Sequence, residues 1–471
     1  MRVLRKVLFW LFLALYLTAT PIAVMYALGY LYKPGTERGL TTYGLISINS
    51  TPEDAQIFFG ESRFARRTPA VIRDLLPGSY QVRLIRPGYA WWQGPVRVES
   101  ERATVIDRVI LLPSGLQPQR VAEGPWTDLQ DEPGDRAILL SRGPSLGHWR
   151  RLDAARESIQ PLLATNSPWA DLQVDKHWLA PDSDQLLVEG RITGTPTRLW
   201  LRMDDPDEEP VDITRLFPDP PDEVLWDARS RSVLFARIGE RLHRIEVGER
   251  ALYPDYAAAG RGIALRKGRL LVLDGGTNTL VRIDRDGEGA ATDYSLPEEL
   301  MQRLIAPRYR IFALPDERAL FLDQRGALLA NRPPWLLVPD GARALLPGAR
   351  ADQWLVIAGR QLMRLAFTQN DDNALRWETL YAHSKSIQRA AWVHDDTHIL
   401  FSADGQMYLL ALERGGGGVR HLVETHRAGA FHFSEASGLL YYLDPSRNLS
   451  ALRLLPPDNL IPLPRHSEGD E

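Results

Sequence analysis

The sequence has no cysteine among its 471 residues. This absence excludes a disulfide framework, a thiolate metal site and a cysteine nucleophile. A strong charge of either sign is also lacking, because 56 Lys and Arg residues against 60 Asp and Glu residues give a formal net charge of -4. A nucleic-acid-binding surface and a highly charged disordered chain are therefore not expected. At usual domain sizes, a chain of this length holds roughly two to four domains.

The longest hydrophobic run lies near the N-terminus. Residues 7–32 contain no charged side chain and follow a basic tail over residues 1–6. A helix of that length would measure about 39 Å, which is enough to cross a bilayer. We therefore predict a transmembrane signal anchor, a linker over residues 33–41, and an inner-membrane protein whose N-terminus is inside and whose bulk is periplasmic or extracellular. A cleaved signal peptide is the alternative, because Ala27 and Gly29 are small residues at a suitable spacing.

Residues 42–113 predict a small β-sandwich. They consist of short β-branched or aromatic runs separated by turn residues. The turn motifs are Thr51-Pro52-Glu53-Asp54-Ala55, Ile57-Phe58-Phe59-Gly60, Thr68-Pro69, Leu76-Pro77-Gly78-Ser79-Tyr80 and Gly88-Tyr89. In this order they resemble the PEGA domain along its whole length, although that family has Gly where this chain has Asp54. The resemblance implies a small β-sandwich of bacterial envelope and surface proteins, without enzymatic activity.

Two groups of side chains in this module are candidate contacts for a partner. The candidates are Tyr89, Trp91, Trp92, Arg63, Arg66 and Arg67. The aromatic group suits sugar faces or a partner protein, but strand alternation could instead send one tryptophan into the core and leave the other as a lid. The basic group, which we expect on a loop, suits anionic headgroups or glycan carboxylates, and its alternative interpretation is a solvated loop.

Residues 116–455 contain a repeat that predicts a β-propeller. At five places an aromatic residue precedes an apolar residue by eight positions, and a tight turn with a second apolar run follows. The aromatic residues are Trp178, Trp226, Phe312, Trp392 and Phe433. With weaker copies in the gaps, the count reaches eight units of about 42 residues, the length of a four-stranded blade. Eight blades are favoured and seven are possible, with residues 116–122 as a closing strand and residues 456–471 as a C-terminal tail.

The repeats also resemble a known family. The aromatic-x-x-Pro-Asp element at Trp178 and Phe312 resembles the repeats of the periplasmic propeller protein of the Tol-Pal system and, more distantly, WD-type repeats. The resemblance implies the architecture and not the partner. Helix is scarce, but residues 295–305 predict a short helix capped by Ser295.

The motifs that suggest chemistry have simpler interpretations. Residues 143–147 fit G-x-S-x-G, yet the strands on both sides predict a hairpin turn. Residues 284–288 begin like a calcium loop but lack its flanking helices and final glutamate. Six histidines lie close together in the sequence, and a metal would need three or four of them to converge. They are His383, His394, His398, His421, His426 and His432. We predict no catalytic residue, no cofactor and no metal.

Three hypotheses for function follow. The first is a non-enzymatic, membrane-anchored envelope scaffold that binds another protein through its propeller face or channel mouth. The second is a cell-wall glycan-binding protein that uses the small module. The third is a hydrolase or lyase with its site in the propeller channel. The predicted partners are the membrane, a protein and a cell-wall glycan, and nucleic acid is not among them.

Overall fold

The computed structural model divides into two compact units, whose main boundary along the sequence falls between Leu116 and Gln117. The described residues are 2–27, 30–32, 40–131, 137–154, 157–180, 184–227, 230, 232–266, 269–277, 279–283, 290–294, 296–314, 318–349, 353–367, 375–412 and 418–456. The linker proposed over residues 33–41 and the tail over residues 456–471 fall almost wholly outside them.

The chain begins with helix α1 (Arg2–Ala27), whose side chains are described at residues 8–21, 23 and 24. Among the described residues, no helix combines the length and the apolar character needed to cross a membrane. The predicted anchor over residues 7–32 is therefore wrong, as is the single-pass inner-membrane localisation built on it.

A small β-sandwich follows in the first unit, after a short pair formed by β1 (Tyr30–Tyr32) and β2 (Leu40–Thr42). Its strands are β3 (Gly44–Thr51), β4 (Gln56–Phe59), β5 (Ser62–Arg67), β6 (Ala70–Leu75), β7 (Gly78–Ile85), β8 (Trp92–Val98) and β9 (Ala103–Ile110). They form the sheets β6-β3-β9 and β5-β4-β7-β8, and the β3–β9 pair is parallel. Alternate residues such as Ile46, Ile57 and Val82 point inward and are fully buried, as expected for strands with one face on a core.

Thr68 and Asp54 fix the first hairpin of the sandwich. The buried Thr68 hydroxyl accepts the backbone N–H of Ala55 at 3.0 Å and lies 2.7 Å from the Ser50 hydroxyl. Asp54 adopts φ 70, the left-handed conformation that glycine supplies in the family motif. Its carboxylate also pairs with Arg67 at 2.8 Å. The departure from glycine is therefore accommodated, because Asp is one of the few residues that enter this conformation readily.

The described part of the second unit contains eight four-stranded sheets, here called sheets 1 to 8. The first strand of this unit along the chain, β10 (Gln119–Ala122), belongs to the last sheet. Sheet 1 contains β11 (Asp128–Asp131), β12 (Ala137–Ser141), β13 (Trp149–Asp153) and β14 (Ser158–Pro161), and sheet 2 contains β15 (Gln173–Leu179), β16 (Gln185–Ile192), β17 (Thr195–Arg202) and β18 (Val211–Asp212). Sheet 3 contains β19 (Glu223–Trp226), β20 (Val233–Ile238), β21 (Arg241–Glu246) and β22 (Ala251–Ala258), and sheet 4 contains β23 (Gly262–Arg266), β24 (Arg269–Leu273), β25 (Leu280–Ile283) and β26 (Ala290–Tyr294).

The remaining sheets follow in the same order. Sheet 5 contains β27 (Tyr309–Ala313), β28 (Ala319–Asp323), β29 (Leu328–Ala330) and β30 (Leu336–Val338), and sheet 6 contains β31 (Ala342–Pro347), β32 (Gln353–Ala358), β33 (Gln361–Phe367) and β34 (Leu375–Ala382). Sheet 7 contains β35 (Ile387–Val393), β36 (His398–Ala403), β37 (Gln406–Ala411) and β38 (Val419–Glu424). Sheet 8 joins β39 (Phe431–Ser434), β40 (Leu439–Leu443) and β41 (Leu449–Arg453) to β10.

In two of its five copies, the aromatic repeat in the sequence reflects direct cross-strand pairing in the first hairpin of a sheet. Trp226 on β19 lies opposite Leu234 on β20, and Phe312 on β27 lies opposite Leu320 on β28. A tight turn between two antiparallel strands fixes the sequence distance between opposite residues. The spacing of eight residues is thus the register of the first hairpin in sheets 3 and 5. In the other three copies the partner is one residue away from the eighth position, because Trp178, Trp392 and Phe433 lie opposite Leu187, Ile399 and Leu440.

Sheet 8 closes the unit onto sheet 1. As predicted, the early strand β10 completes the last sheet by pairing antiparallel with β41. Trp126 and Leu129 pack in one buried cluster with Tyr441 of sheet 8. The mainly β, propeller-like architecture predicted from the repeat is confirmed by these sheets.

Helix α2 (Glu298–Met301), between sheets 4 and 5, is shorter than the segment predicted over residues 295–305, of which Ser295 lies outside the described residues. Pro297 stands at its N-cap and makes no side-chain capping bond. The Arg261 side chain donates to the backbone carbonyls of Leu304 and Ala306, which holds the following residues in a non-helical path. Tertiary contacts therefore override the helical pattern at this end.

The cluster between sheets 1 and 8 gives a test of closure. We expect Trp126→Ala to lower the free energy of unfolding by about 3–5 kcal/mol, because it leaves a cavity in that cluster. The control Trp377→Ala alters an indole that is 45% exposed on β34, and we expect it to cost only about 0.5 kcal/mol. Denaturant unfolding followed by circular dichroism measures both values. Equal losses would contradict a closing role for Trp126.

Candidate functional site

The first strands of the sheets, and the residues directly before them, carry charged side chains that link sheets which are not neighbours. Arg389 on β35 of sheet 7 bonds to Asp128 on β11 of sheet 1 at 3.1 Å and to the Leu129 carbonyl at 2.8 Å, passing sheet 8. Arg308, directly before β27 of sheet 5, pairs with Asp222, directly before β19 of sheet 3, at 3.2 Å. Each ion pair therefore joins sheets that are two places apart.

A cavity of about 340 Å³ opens where the first strands of sheets 3 and 5 begin. Its lining residues are Asp222, Glu223, Arg237, Arg308, Tyr309, Arg310, Leu322, Asp323 and Gln324. We call it the channel-mouth cavity. Its volume is at the lower end of the range typical of small-molecule sites.

Glu223 and Arg237 are the least solvated charged groups of this cavity. They lie directly opposite each other on β19 and β20. Burial raises the pKa of Glu223, and Arg237, Arg310 and Arg308 oppose this rise. Burial likewise lowers the pKa of Arg237, whose guanidinium is 2% exposed and donates to the carbonyls of Gly239 and Gly260 at 3.3 and 2.9 Å. A carboxyl group with a raised pKa beside fixed cations is typical of functional sites.

A second feature lies between sheets 6 and 7, where five rings form what we call the ring cluster. Its members are Tyr381, His383, Phe401, Tyr408 and His421. Phe401 is buried and stacks on Tyr408 with a centroid distance of 5.1 Å. Tyr408 in turn contacts His383 at 5.2 Å and His421 at 5.6 Å. The cluster thus joins a buried ring, Phe401, to an exposed ring, His421, through Tyr408.

The aromatic candidates of the small module separate into core and surface residues. Trp92 and Tyr89 pack against the sandwich core, and the Arg86 guanidinium lies 5.1 Å from the centre of the Tyr89 ring. Trp91, directly before β8, is 63% exposed. Of these three side chains, only the indole of Trp91 is exposed enough to contact a ligand.

The basic candidates lie on strand β5 rather than on the predicted loop. Arg63 stands opposite Phe58 of β4, which in turn stands opposite Arg83 of β7. The Arg83 guanidinium lies 5.2 Å from the centre of the Phe58 ring. Arg67 shares β5 but is paired with Asp54, and Arg66 is exposed there. Strand pairing therefore places Arg63, Phe58 and Arg83 in one row on the outer face of the sheet.

The G-x-S-x-G segment forms a turn between two antiparallel strands, β12 and β13, with a short 3-10 helix at Leu146–His148. The Ser145 hydroxyl donates to the Ala170 carbonyl at 2.7 Å. A nucleophile elbow requires a strand-to-helix turn that exposes the serine hydroxyl. The hairpin interpretation of residues 143–147 is confirmed.

The clustered histidines occupy different environments. His383 and His421 belong to the ring cluster, while His432 stacks on Tyr441. His394 and His398 lie 6.0 Å apart between ring centres. Within the part of the chain that the structure describes, no three His, Asp or Glu residues are arranged to hold a metal ion. The calcium-like segment over residues 284–288 lies outside that part.

Comparison with known proteins supports the small module. Residues 43–110 match the PEGA domain family, which confirms the resemblance of the turn motifs. No curated protein is similar enough to the chain to match it. The bounds of the matched region thus agree to within a few residues with the span from the start of β3 to the end of β9.

Solved propeller structures resemble the chain. The β-propeller domain of Myceliophteria thermophila Cps50 (Swd1) is 9% identical with a TM-score of 0.45, and the comparison covers 72% of this chain and 100% of that one. Kluyveromyces lactis Hsv2 is 9% identical with a TM-score of 0.41, covering 64% and 98%. Porphyromonas gingivalis PorZ, a surface component of the type-IX secretion system, is 13% identical with a TM-score of 0.38, covering 69% and 42%.

The sequence contained one signal for the channel-mouth cavity. Arg237 interrupts the apolar run of β20, and a charged residue in such a run is seldom buried without a reason. Glu223, Arg308 and Arg310 carried no comparable signal, since their proximity depends on which sheets face each other. For the ring cluster, His383 and His421 were noted in the sequence but their aromatic neighbours were not.

The buried His398 gives a prediction for pH. Burial, with a smaller effect of His394, lowers the pKa of His398 from 6.5 to about 3. The unfolded chain therefore binds a proton that the folded chain does not, so the stability contributed by the neutral imidazole is present above pH 6.5 and is lost as the pH falls towards 3. From about pH 7 to about pH 5 this single group should cost about 2 kcal/mol.

Denaturant unfolding at the two pH values measures this cost. His398→Gln should remove that part of the pH dependence, whatever it does to stability at either pH. The control His421→Gln alters an exposed imidazole and should leave the pH dependence unchanged. A pH dependence that survives in His398→Gln would assign it to other groups.

Proposed function

We propose that the chain is a non-enzymatic protein-binding scaffold whose sheets 1 to 8 are the blades of a closed eight-bladed propeller over residues 116–455, preceded by a sandwich over residues 42–113. The packing of sheet 8 on sheet 1 supports the closed ring. In a closed ring of sheets, the faces of each sheet pack against its neighbours. The channel and the loops at the two ends of the ring are therefore the surfaces that can bind a partner.

The ring cluster is the observation that carries this proposal. Aromatic side chains are enriched among the residues that dominate protein interfaces. Here the Tyr408 ring is held by stacking on buried Phe401, so its ordering costs little further entropy when a partner binds. Lys385, exposed nearby and paired with Asp404 at 3.6 Å, adds a polar rim. A pre-ordered aromatic centre with a polar rim is the usual anatomy of a contact surface.

Site-directed photo-crosslinking in the full-length chain tests the partner surface. A photoreactive residue in place of His421 should link to one dominant protein, whereas the same residue in place of Tyr253, which is 41% exposed on β22, should not. Tyr408→Ala should then weaken binding of that protein by about thirtyfold, or ~2 kcal/mol, as for a central interface aromatic. Tyr253→Ala is the matched control.

Two results would overturn this proposal. One is equal crosslinking from both positions. The other is unchanged partner binding by a folded Tyr408→Ala protein, with folding confirmed by circular dichroism and thermal unfolding.

A second candidate function is binding of a carboxylate-bearing cell-wall glycan by the small module. The row of Arg63, Phe58 and Arg83, together with exposed Trp91, supports it. An indole stacks on the apolar face of a sugar, and a guanidinium binds a carboxylate through paired hydrogen bonds. Both chemistries are available on the surface of this module.

Co-sedimentation with purified cell-wall material measures this function. Trp91→Ala and Arg63→Gln should each weaken binding by about tenfold, through lost stacking and a lost charged hydrogen bond. Arg73→Gln, an exposed change on β6 of the other sheet, is the control and should bind normally. Trp92 is unsuitable for the test because it packs against the core. Normal binding by both Trp91→Ala and Arg63→Gln would argue against a glycan site.

A further inference from the structure

Several charged groups of the channel-mouth cavity already have partners. Arg308 is paired with Asp222 at 3.2 Å. The Asp323 carboxylate accepts two backbone N–H groups of the turn that follows it, at 2.8 and 2.7 Å. These three side chains therefore form part of the wall, and their charges contribute to the field inside the cavity.

Two other groups in the cavity lack such partners. Within the described residues, neither the Glu223 carboxyl nor the Arg310 guanidinium forms an ion pair or a side-chain hydrogen bond. Arg310 is exposed and is oriented by the Phe312 ring, whose centre lies 5.0 Å from the guanidinium carbon. Glu223 lies opposite Arg237 on the neighbouring strand. The Arg237 guanidinium donates its hydrogen bonds to the backbone carbonyls of Gly239 and Gly260 and not to Glu223. The cavity thus combines a carboxyl group and a cation that are both available to a ligand.

We propose that the channel-mouth cavity binds a carboxylate group on a short aliphatic stem, with Arg310 as its cationic contact and protonated Glu223 as a hydrogen-bond donor to it. Arg237 and Arg308 supply additional positive potential from the wall. Tyr309 and Leu322 also line the cavity and offer apolar surface to the methylene groups of the stem. This site is separate from the ring cluster and does not rest on the proposed protein partner.

The charge balance favours a monoanion over a phosphate. Three guanidinium groups, those of Arg237, Arg308 and Arg310, line the cavity together with the carboxylates of Asp222 and Asp323. When Glu223 is protonated, one positive charge remains, and a single carboxylate neutralises it. A phosphate carries between one and two charges at neutral pH and would be repelled by the two aspartates. A neutral amide of the same shape would leave the positive charge uncompensated.

Binding is coupled to a proton. The carboxylate of the ligand and an ionised Glu223 would repel each other, so Glu223 takes up a proton when the ligand enters. The groups that face Glu223 are Arg237 on β20, Arg308 and Arg310 beside and on β27, and the neighbouring Asp222. Affinity therefore increases as the pH falls, until the carboxyl group of the ligand itself becomes protonated near pH ~4.3.

Ligand-observed NMR titration of the full-length chain tests the site. The probe is glutamate capped at both ends, and capped glutamine is its uncharged counterpart. We expect saturable binding of capped glutamate, at least tenfold tighter than that of capped glutamine, because a charged hydrogen bond is lost in the latter. Affinity for capped glutamate should rise by about tenfold or more between about pH 8 and about pH 5.5.

Three variants separate the roles of the residues. Arg310→Gln should weaken binding of capped glutamate by about tenfold or more. Arg376→Gln, the same change on the outer strand β34, should bind normally. Glu223→Gln should still bind, because its amide donates a hydrogen bond at every pH, but its affinity should no longer depend on pH. This last result would not follow from a purely structural role for Glu223.

Three results would overturn the proposal: equal affinity for capped glutamate and capped glutamine, equal effects of Arg310→Gln and Arg376→Gln, or a pH dependence that persists in Glu223→Gln.

A longer capped peptide with one central glutamate distinguishes the sources of the carboxylate. Binding as tight as that of capped glutamate identifies an acidic side chain of a protein as the ligand, whereas loss of binding identifies a free small acid. Because Tyr408→Ala leaves this cavity intact, failure of the protein-partner proposal would be seen separately.

Discussion

The second unit depends on one packing constraint: the second strand of several sheets is buried on both faces, so both faces must be covered. Every residue of β12, β36 and β40 is buried. One sheet cannot provide that cover, and each neighbour contributes one side of it. The constraint is satisfied for the end sheets only when sheet 8 packs on sheet 1 through Trp126 and Tyr441. The apolar faces of sheets 1 and 8 are therefore buried only when these two sheets pack against each other.

Apolar packing, rather than charge, holds the ring. The Asp128–Arg389 and Asp222–Arg308 ion pairs each link sheets that are two places apart, but their side chains are 36% to 42% exposed. Ion pairs exposed to this degree contribute about 0–1 kcal/mol, whereas one buried aromatic side chain is worth several times that amount. The ring cluster, in contrast, couples an accessible surface to the core through Phe401.

Local pairing made much of the fold predictable from the sequence. The distance from Trp226 to Leu234 and from Phe312 to Leu320 is set by hairpin register, and the sequence records that distance directly. The channel-mouth cavity is different, because Glu223 and Arg310 approach each other only through the order of the sheets around the ring. The N-terminal prediction failed for another reason. The length and uncharged composition of residues 7–32 predict a spanning helix, but no helix among the described residues combines the length and the apolar character that crossing a membrane requires.

Pairing between β10 and β41 also has a consequence for biosynthesis. The backbone N–H of Gly124 donates to Asn448, 324 residues later in the chain. At translation rates of ~5–20 residues per second, that interval takes on the order of tens of seconds. During this time the side of sheet 1 that carries Trp126 and Ile138 has no cover, although its own hairpins are complete. The nascent chain thus presents an apolar surface, a natural substrate for chaperones, until the last strand leaves the ribosome.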